Sequence, residues 1–420
     1  MKTLSNVPMK EVSETSHSPQ TLKVCMHVLE TVRTDYRVLR EATALVKAGY
    51  DVTIVDVEPG HTQPTEEDFQ GIHLKHIIAP VWFTSTRFKP FFFVKMVRMI
   101  LRATLLMLRT PADIYHAHDE NALPACYLAA RLRRKPLIFD AHELPLENNP
   151  NFTRWRRLTA LAKRLFAAAL PYCAGIIASS SPTARAIRQD YHVPDVTLVR
   201  NFPSYQEVQR SDRLRQYLGL NQEVRLVLFQ GYLQPNRGLH WLVQAAPFLD
   251  PNIVIVIMGK DQRGIKAQLD ALIAEKRMAD RVKIIPAVPY AELLDWTASA
   301  DIGLNLVSPN YVKAGNLMLP NKIFEYLMAG LPILATPSDA VSEFITTYDV
   351  GRFIASLEPE NIGTDINEML ADKDALLRMR RNGLEAAKNE LNWEKERENL
   401  LELYSRILGG QNEEQEGSPS

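Results

Sequence analysis

The sequence predicts an α/β protein of two wound domains, each a parallel sheet covered by helices. Three observations carry that prediction. Short β-branched runs alternate with amphipathic helical stretches almost from end to end, the pattern of βαβ units. The 420 residues exceed a single domain about two- to threefold. A polar stretch at 203–224 separates two sets of strand-like runs, and no solenoid period links them.

In the first set the strand-like runs are LKVCMHVLE (22–30), DVTIVDV (51–57), HLKHIIA (73–79), DIYHAH (113–118), PLIFDAH (136–142), GIIASS (175–180) and VTLVRNF (196–202). The stretch from Asp35 to Lys47 places Val38, Ala42, Leu45 and Val46 on one side, and Gly49 follows where a left-handed cap belongs. The second set is RLVLFQG (225–231), IVIVIMG (253–259), VKIIPAV (282–288), DIGLNLV (301–307) and PILAT (332–336). From about 359 the pattern is helical to Leu408, and GGQNEEQEGSPS is too polar to pack. The expected organisation is a mobile leader at 1–20, a first domain at 21–205, a second at 206–408 whose last helices can pack back on the first, and a disordered tail at 409–420.

Composition excludes several classes. Apolar residues at 46% and charged residues at 23% exclude both a disordered chain and a polytopic membrane protein. Cys25, Cys126 and Cys173 lie far apart with no CxxC spacing, so reduced thiols are expected rather than a disulfide framework or zinc ribbon. The first 20 residues carry no apolar h-region, which points to the cytoplasm. Formal net charge is zero, yet residues 1–205 hold 26 Lys+Arg against 19 Asp+Glu, and residues 206–420 hold 23 against 30. Within 75–164 the count is 16 against 6, enough for a basic face toward an anionic surface. No RNP-like, helix-turn-helix or zinc-finger pattern accompanies it, so nucleic acid is set aside in favour of anionic lipid.

Ligands of such sheets bind at the carboxyl ends of the strands. In LPNKIFEYLMAGLP (319–332), Pro320 opens a helix and Gly330 closes it. Free amides at that helix start, with Lys322 beside them, suit a diphosphate, and Glu325 one turn in can accept from vicinal ribose hydroxyls. A capped surface helix with solvated Lys and Glu is the alternative. In FQGYLQPNRG (229–238), Arg237 can face the same phosphates, or simply lie on the surface. DIYHAHDEN (113–121) ends a strand with His116, His118, Asp119 and Glu120. The HxH spacing puts both rings on one side, but no third ligand at metal-site spacing follows, so core or cleft packing is expected there. FDAHELP (139–145) offers His142 and Glu143, where a histidine can bond a substrate hydroxyl or move a proton, or sit satisfied on the rim. GxSxG, HExxH, P-loop and GxGxxG motifs are missing, and Asp372 of the DKD triplet reads as an N-cap.

At these residues the sequence resembles the retaining glycosyltransferases of family 4. TDYRVLREATALVKAGYDVTIV (34–55), DIYHAHDENALPACYLAARLRRKPLIFDAHE (113–143), QGYLQPNRGLHWLVQA (230–245) and PNKIFEYLMAGLPILAT (320–336) look like that family's blocks in the family's order. The resemblance implies a GT-B fold, two facing Rossmann-like domains with a cleft between. It implies a UDP- or GDP-linked sugar donor on the second domain, with Arg237, Lys322, Asn321 and Gly231 near the diphosphate and Glu325 on the ribose. It implies catalytic positions at His142 and Asp119, an acceptor side including Asp35, Arg37, His118 and Glu143, and transfer with retention and no bound metal. Three departures stand out. Leu317 occupies the place of a family glutamate, leaving Asn316 as a substitute sugar contact. Tyr232 replaces a basic residue. TVRTDYR (31–37) replaces a glycine-rich turn, with Asp35 and Arg37 expected to cap and anchor the helix slightly more than to touch ligand.

On a helical wheel, residues 91–109 carry Lys95, Arg98, Arg102 and Arg109 as one basic stripe on an apolar body. Three mid-segment charges at about 2.5–3.5 kcal/mol each argue against a membrane span. A core-facing helix with a solvated stripe and an in-plane membrane helix remain, and residues 153–166 can extend such a face. The expectation is a cytoplasmic glycosyltransferase, peripheral on the inner membrane face, acting on a polysaccharide or lipid-linked envelope acceptor. A nucleotide-sugar epimerase of the same fold and an inactive nucleotide-sugar or membrane-binding subunit are the alternatives.

Overall fold

The computed structural model describes residues 21–60, 64–79, 89–145, 156–262, 264–307 and 316–416. The expected leader at 1–20, residues 153–155 of the second basic segment and residues 417–420 of the tail lie outside them.

The first sheet contains β1 (Lys23–His27), β2 (Asp51–Pro59), β3 (Glu66–Phe69), β4 (Ile72–Ala79), β5 (Ile114–His118), β6 (Leu137–Ala141), β7 (Gly175–Ala178) and β8 (Thr197–Leu198). Their order is β3-β4-β2-β1-β5-β6-β7-β8, parallel throughout except where β3 meets β4. One face carries α1 (Tyr36–Lys47); the other carries α2 (Lys89–Arg109), α3 (Asp119–Arg133), α4 (Arg156–Ala169) and α5 (Ser181–Tyr191). The acidic run EEDF gives no strand signal of its own, and β3 forms because an antiparallel edge strand can leave Glu66 and Asp68 in solvent.

The second domain starts with α6 (Arg213–Leu218), β9 (Arg225–Gln230), α7 (Leu239–Ala245), β10 (Ile253–Met258), α8 (Ile265–Glu275), β11 (Val282–Ile285) and α9 (Leu293–Thr297). It continues with β12 (Ile302–Asn305), α10 (Asn321–Met328), β13 (Ile333–Ala335), α11 (Asp339–Tyr348), β14 (Gly351–Phe353), α12 (Pro359–Ala371), α13 (Lys373–Asn389) and α14 (Trp393–Glu416). Its six strands are all parallel, in the order β11-β10-β9-β12-β13-β14. Every residue of IVIVIM in β10 is buried, because helices cover both faces. Asp372 caps α13 by accepting from the Ala375 amide at 3.0 Å. In each sheet the strand order reverses beside the first strand, between β1 and β5 and between β9 and β12, which opens a crevice at their carboxyl ends. Two wound α/β domains with parallel sheets are therefore present as the sequence predicts.

Helix α10 is pressed onto its sheet through Tyr326. A Cβ on Gly303 of β12 would lie 2.7 Å from that ring, so only glycine admits it. The buried Tyr326 hydroxyl accepts from the Gln230 amide and lies 3.2 Å from the carbonyls of Leu228 and Leu304. The N-terminal end of α10 also touches the first domain. Ser180 Oγ donates to the Leu317 carbonyl at 2.7 Å, Leu317 packs into the first domain's core, and Asn201 Nδ2 donates to Asn321 Oδ1 at 3.1 Å.

The last helix returns to the first sheet and packs beside α1 through Trp393, Leu400, Leu403, Tyr404 and Leu408. Its start is tied down where the Trp393 amide reaches the Pro203 carbonyl and Glu396 takes the amide and guanidinium of Arg200. Residues 409–416, expected as disordered tail, are helical instead. Neither glycine of Gly409-Gly410 breaks the helix, and the Gln/Glu-rich turns that follow contain no proline.

Gly303→Ala is expected to destabilise the protein by about 1–3 kcal/mol, since the Tyr326 ring has no room to retreat. Tyr326→Phe should cost about 1–3 kcal/mol by leaving the buried Gln230 amide without its acceptor. Urea unfolding of the two variants checks both.

Candidate functional site

The second-domain wall is built on α10. Pro320 is its N-cap and offers no side-chain bond; the Ile323 amide reaches the Pro320 carbonyl at 3.0 Å, and those of Asn321 and Lys322 precede any intrahelical acceptor. Lys322, in the first turn, is buried with its Nζ 3.7 Å from the centroid of the Phe229 ring and no hydrogen-bond partner among the described residues. Burial pulls its proton affinity well below the usual lysine range, Arg237 pushes the same way, and Glu325 opposes both. Gly231, at φ 128°, lets the chain after β9 pass in front of Lys322. Glu325, one turn on, accepts from Gln230 Nε2, and Gln230 Oε1 takes the Thr297 hydroxyl at 2.7 Å. Burial raises the Glu325 pKa against the opposing pull of Gln230 and Lys322.

The facing wall comes from β5 and β6. Asp140, fully buried at the end of β6, is gripped by Arg37, whose Nε and Nη2 donate at 2.8 and 2.7 Å while Nη1 donates to the Val199 carbonyl at 2.8 Å. His118 Nδ1 and His142 Nε2 both lie 3.2 Å from Asp140 Oδ2. His142 Nδ1 faces Asp119 Oδ2 at 3.9 Å. Asp119 itself has φ 68°, a left-handed conformation costing a non-glycine residue about 1–2 kcal/mol. Burial lowers the His142 pKa, but the charge of Asp140, its hydrogen bond and Asp119 outweigh that and hold it up at about 9. That balance favours the imidazolium form of His142 at neutral pH. Asp140 is held well below the carboxylate range, Arg37 and the histidines overcoming its burial. Glu143 has its pKa raised by burial and Asp119, while His142 and Arg237 of the opposite domain lower it, so the two walls lie within electrostatic reach of one another.

Beneath the cleft, His116 and His118 stack at 4.2 Å, and Glu41, His116, His118 and Asp140 form one buried cluster. His116 Nδ1 lies 2.8 Å from the Tyr404 hydroxyl of α14. The cluster has the composition of a cation site, but Arg37 occupies both Asp140 oxygens and stands 3.2 Å from Glu41. With a guanidinium already inside, the donors suit a proton-bearing Glu41, whose pKa burial and Asp140 push up to about 8. In a second cluster, Asp56, Glu58 and His76, both Asp56 oxygens are engaged, by the Val32 amide and His76 Nδ1.

Lys322, Glu325, Gly231 and Arg237 thus come together on one wall, and His142, Asp119 and Glu143 on the other. Several expected contacts fall elsewhere. Arg37 and His118, expected on the acceptor side, are buried beneath it, because Asp140 cannot remain ionised there without them. Asp35 takes the role favoured for it and caps α1, accepting from the amides of Arg37 and Val38. Asn316 Oδ1 accepts from the Asp339 amide. Tyr232 is exposed. Sequence reasoning missed Glu41, Asp140, Gln230 and Tyr404. The signal for one was legible: Arg37 and Glu41 lie four apart on the helix face carrying Val38 and Ala42, where charges need partners inside.

A family model for Glycosyltransferase Family 4 matches residues 36–202, and one for Glycosyl transferases group 1 matches residues 210–386. A D-inositol 3-phosphate glycosyltransferase of Nocardia farcinica is 25% identical over 394 residues, 88% of this chain and 84% of its own. Among solved structures, sucrose-phosphate synthase from Thermosynechococcus elongatus superposes with a TM-score of 0.75 at 14% identity, over 93% of this chain and all of its own. Anabaena HepE in complex with UDP and glucose gives 0.67 at 15% identity, over 92% of this chain and all of its own.

Arg37→Met should cost about 3–5 kcal/mol in urea unfolding, because it strands a buried carboxylate. Stability should also depend on pH in a defined window. The folded His142 pKa of about 9 exceeds the unfolded value near 6.5, so its contribution is complete below 6.5 and lost as pH rises through 9. Glu41, raised to about 8, adds a loss of the same sign that begins at lower pH. Lys322, held low in the folded state, works the other way and gains stability as pH rises, so the His142 contribution is read as a difference: from pH 6.5 to 9 the wild type is expected to lose stability relative to His142→Gln.

Proposed function

The chain belongs to the GT-B glycosyltransferases related to family 4 and acts on a nucleotide-diphosphate sugar, and from that premise we propose that it transfers a hexosyl group with retention to an acceptor of the cell envelope, lipid-linked or polysaccharide. The observation that carries this reading is the pairing of two walls: α10 with Lys322, Glu325 and nearby Arg237 on one side, the His142 imidazolium on the other. Glu325 would hold the ribose, exchanging its bond to Gln230 for bonds to the hydroxyls. The α10 amides, Lys322 and Arg237 would take the diphosphate, whose negative charge grows as its bond to the anomeric carbon breaks. Their stabilisation of that charge is the main catalytic term. Lys322, whose proton affinity burial lowers, would be favoured as the ammonium by the phosphates beside it. His142 would donate to a donor-sugar oxygen rather than act as a base. The acceptor hydroxyl would attack on the face the diphosphate leaves and pass its proton to the departing phosphate oxygen. No step in this scheme requires a metal.

A second reading has one observation behind it. Leu317 turns into the first domain's core, so no carboxylate reaches the donor sugar from that position. A nucleotide-sugar-binding subunit without transferase activity would bind the donor yet release no nucleotide. An epimerase would turn over donor with no acceptor present.

A thermal-shift panel of UDP, GDP, ADP and their sugar conjugates tests the donor site. One nucleotide family should raise the melting temperature of the wild type, by about 2.7 kcal/mol of stabilisation at a hundredfold excess over Kd, and markedly less in Glu325→Ala. Proton NMR of the product should show the donor's anomeric configuration. No shift at millimolar nucleotide, or an inverted product, sinks the reading.

The membrane-facing side has its own support. No described helix is long and apolar enough to cross a membrane. Helix α2 buries Met99, Ala103 and Met107, while its outer face interleaves exposed Val94, Val97, Leu101 and Leu105 with Arg98, Arg102 and Arg109. Leu128 and Leu132 of α3 and Leu161 and Leu165 of α4 are exposed on the same helical layer. Apolar side chains flanked by guanidinium groups suit the interface of an anionic bilayer, and we place the enzyme peripherally on the cytoplasmic face. In flotation assays it should accompany vesicles containing phosphatidylglycerol and not those of phosphatidylcholine alone. Leu101→Gln/Leu105→Gln should weaken that binding, and indifference to lipid charge would count against it.

A further inference from the structure

We propose that a cavity between the C-terminal end of α3 and the turn Leu170–Tyr172 is a binding pocket for the phosphate of an anionic glycerophospholipid. This deepens the membrane reading above and rests on it. The cavity measures about 400 Å³ and lies at the amino ends of the strands, at the pole away from the sugar-transfer cleft. Tyr127, Arg131, Arg134, Lys135 and Tyr172 line it, and no carboxylate does.

Its cations are arranged rather than merely present. The Arg131 guanidinium lies over the Tyr172 ring, 4.8 Å from the centroid, and Tyr127 meets the same ring edge-on at 5.8 Å. The ring contact holds the guanidinium at the pocket wall, and its N–H groups match phosphate oxygens in geometry. Arg134 holds φ 55° at the C-cap of α3, where glycine would be unstrained. Lys135 is engaged with Asp113 at 3.0 Å, which leaves the two arginines as the free charge of the pocket.

The surroundings favour a lipid over a dissolved anion. Leu128 and Leu132, 40% and 67% exposed, stand on the adjacent stripe of α3. Beside them run the exposed leucines of α2 and α4, whose C-terminal ends also point to this pole. Helices of this length reach from the cleft edge to the pocket, about 20 Å. A phospholipid held there would fix the domain lengthwise on the bilayer, with the cleft opening at the other edge of the contact. Apolar side chains around a phosphate pocket match a ligand whose phosphate is followed by acyl chains.

The test separates a pocket from diffuse attraction. Flotation on phosphatidylcholine vesicles with about one third phosphatidylglycerol compares the wild type with Arg131→Gln/Arg134→Gln, the charge-matched Arg98→Gln/Arg102→Gln, and Tyr172→Ala, which changes no charge. Thermal shifts with the nucleotide that stabilises the wild type confirm that all four are folded with the donor site intact. The pocket pair is expected to bind about tenfold more weakly than the charge-matched pair, with Tyr172→Ala also weakened severalfold. Equal losses in the two pairs, or full binding by Tyr172→Ala, overturn the pocket while leaving the membrane reading standing. A wild type that ignores the vesicles overturns both. If millimolar inorganic phosphate stabilises the wild type but not the pocket pair, and vesicles are not bound, the ligand is a soluble phosphate and the lipid assignment is wrong.

Discussion

Arg37 and Asp140 form the contact on which the cleft depends. An ionised carboxylate enclosed at the end of a parallel strand is costly unless hydrogen-bonded and paired, and the forked guanidinium of Arg37 answers both oxygens at once. The same side chain reaches the Val199 carbonyl, so one residue of α1 joins β6 to the chain that leads into the second domain. Asp140 can then spend its remaining lone pairs on His118 and His142. The protonated state of His142 is a consequence: two carboxylates face it, and the cation that balances one of them is anchored from the other side. Glu41 shows the converse: neither of its oxygens accepts a hydrogen bond among the described residues, and burial and the charge of Asp140 push its pKa up although Arg37 stands close.

The second wall depends on how α10 is seated. Gly303 admits the Tyr326 ring, and the Tyr326 hydroxyl ties α10 to β9 and β12. Leu317 and Asn321 bind the segment just before and at the helix start to the first domain. A helix held from both sides carries its free amides and Lys322 at a set position relative to His142. Leu317 lies where the family resemblance implies a donor contact, and it serves here as an apolar joint between domains. Helix α14 makes the second joint: it starts against the interdomain chain at Pro203 and passes under the His116 side of the first sheet through Tyr404.

The outer helical layer of the first domain follows different rules. Its inner faces obey core packing, with Met99, Ala103, Met107 and Phe166 against the sheet. The outer faces keep leucine and valine next to arginine, which ordinary solvation does not require. The wheel for residues 91–109 separated a basic stripe from an apolar body. In the folded chain the body divides again, part to the core and part to the surface, and only the neighbours of α2 decide which.

By itself the sequence determined the wound α/β architecture, the course of most strands, the cap at Asp35 and the candidate cluster on α10. Each of these rests on local periodicity or on residues adjacent in the chain. It missed β3 and β14 because an edge strand needs a partner more than a propensity, and it ended α14 early because composition speaks less clearly than the absence of a breaker. What tertiary structure decided was partnership. Arg37 meets Asp140 across 103 residues, His116 meets Tyr404 across 288, and Ser180 meets Leu317 across 137. Such pairings set which charges are buried, which histidine keeps its proton and which apolar residue becomes a joint. No spacing along the chain encodes them, because they arise only when two sheets and a returning helix bring distant side chains into one low-dielectric volume.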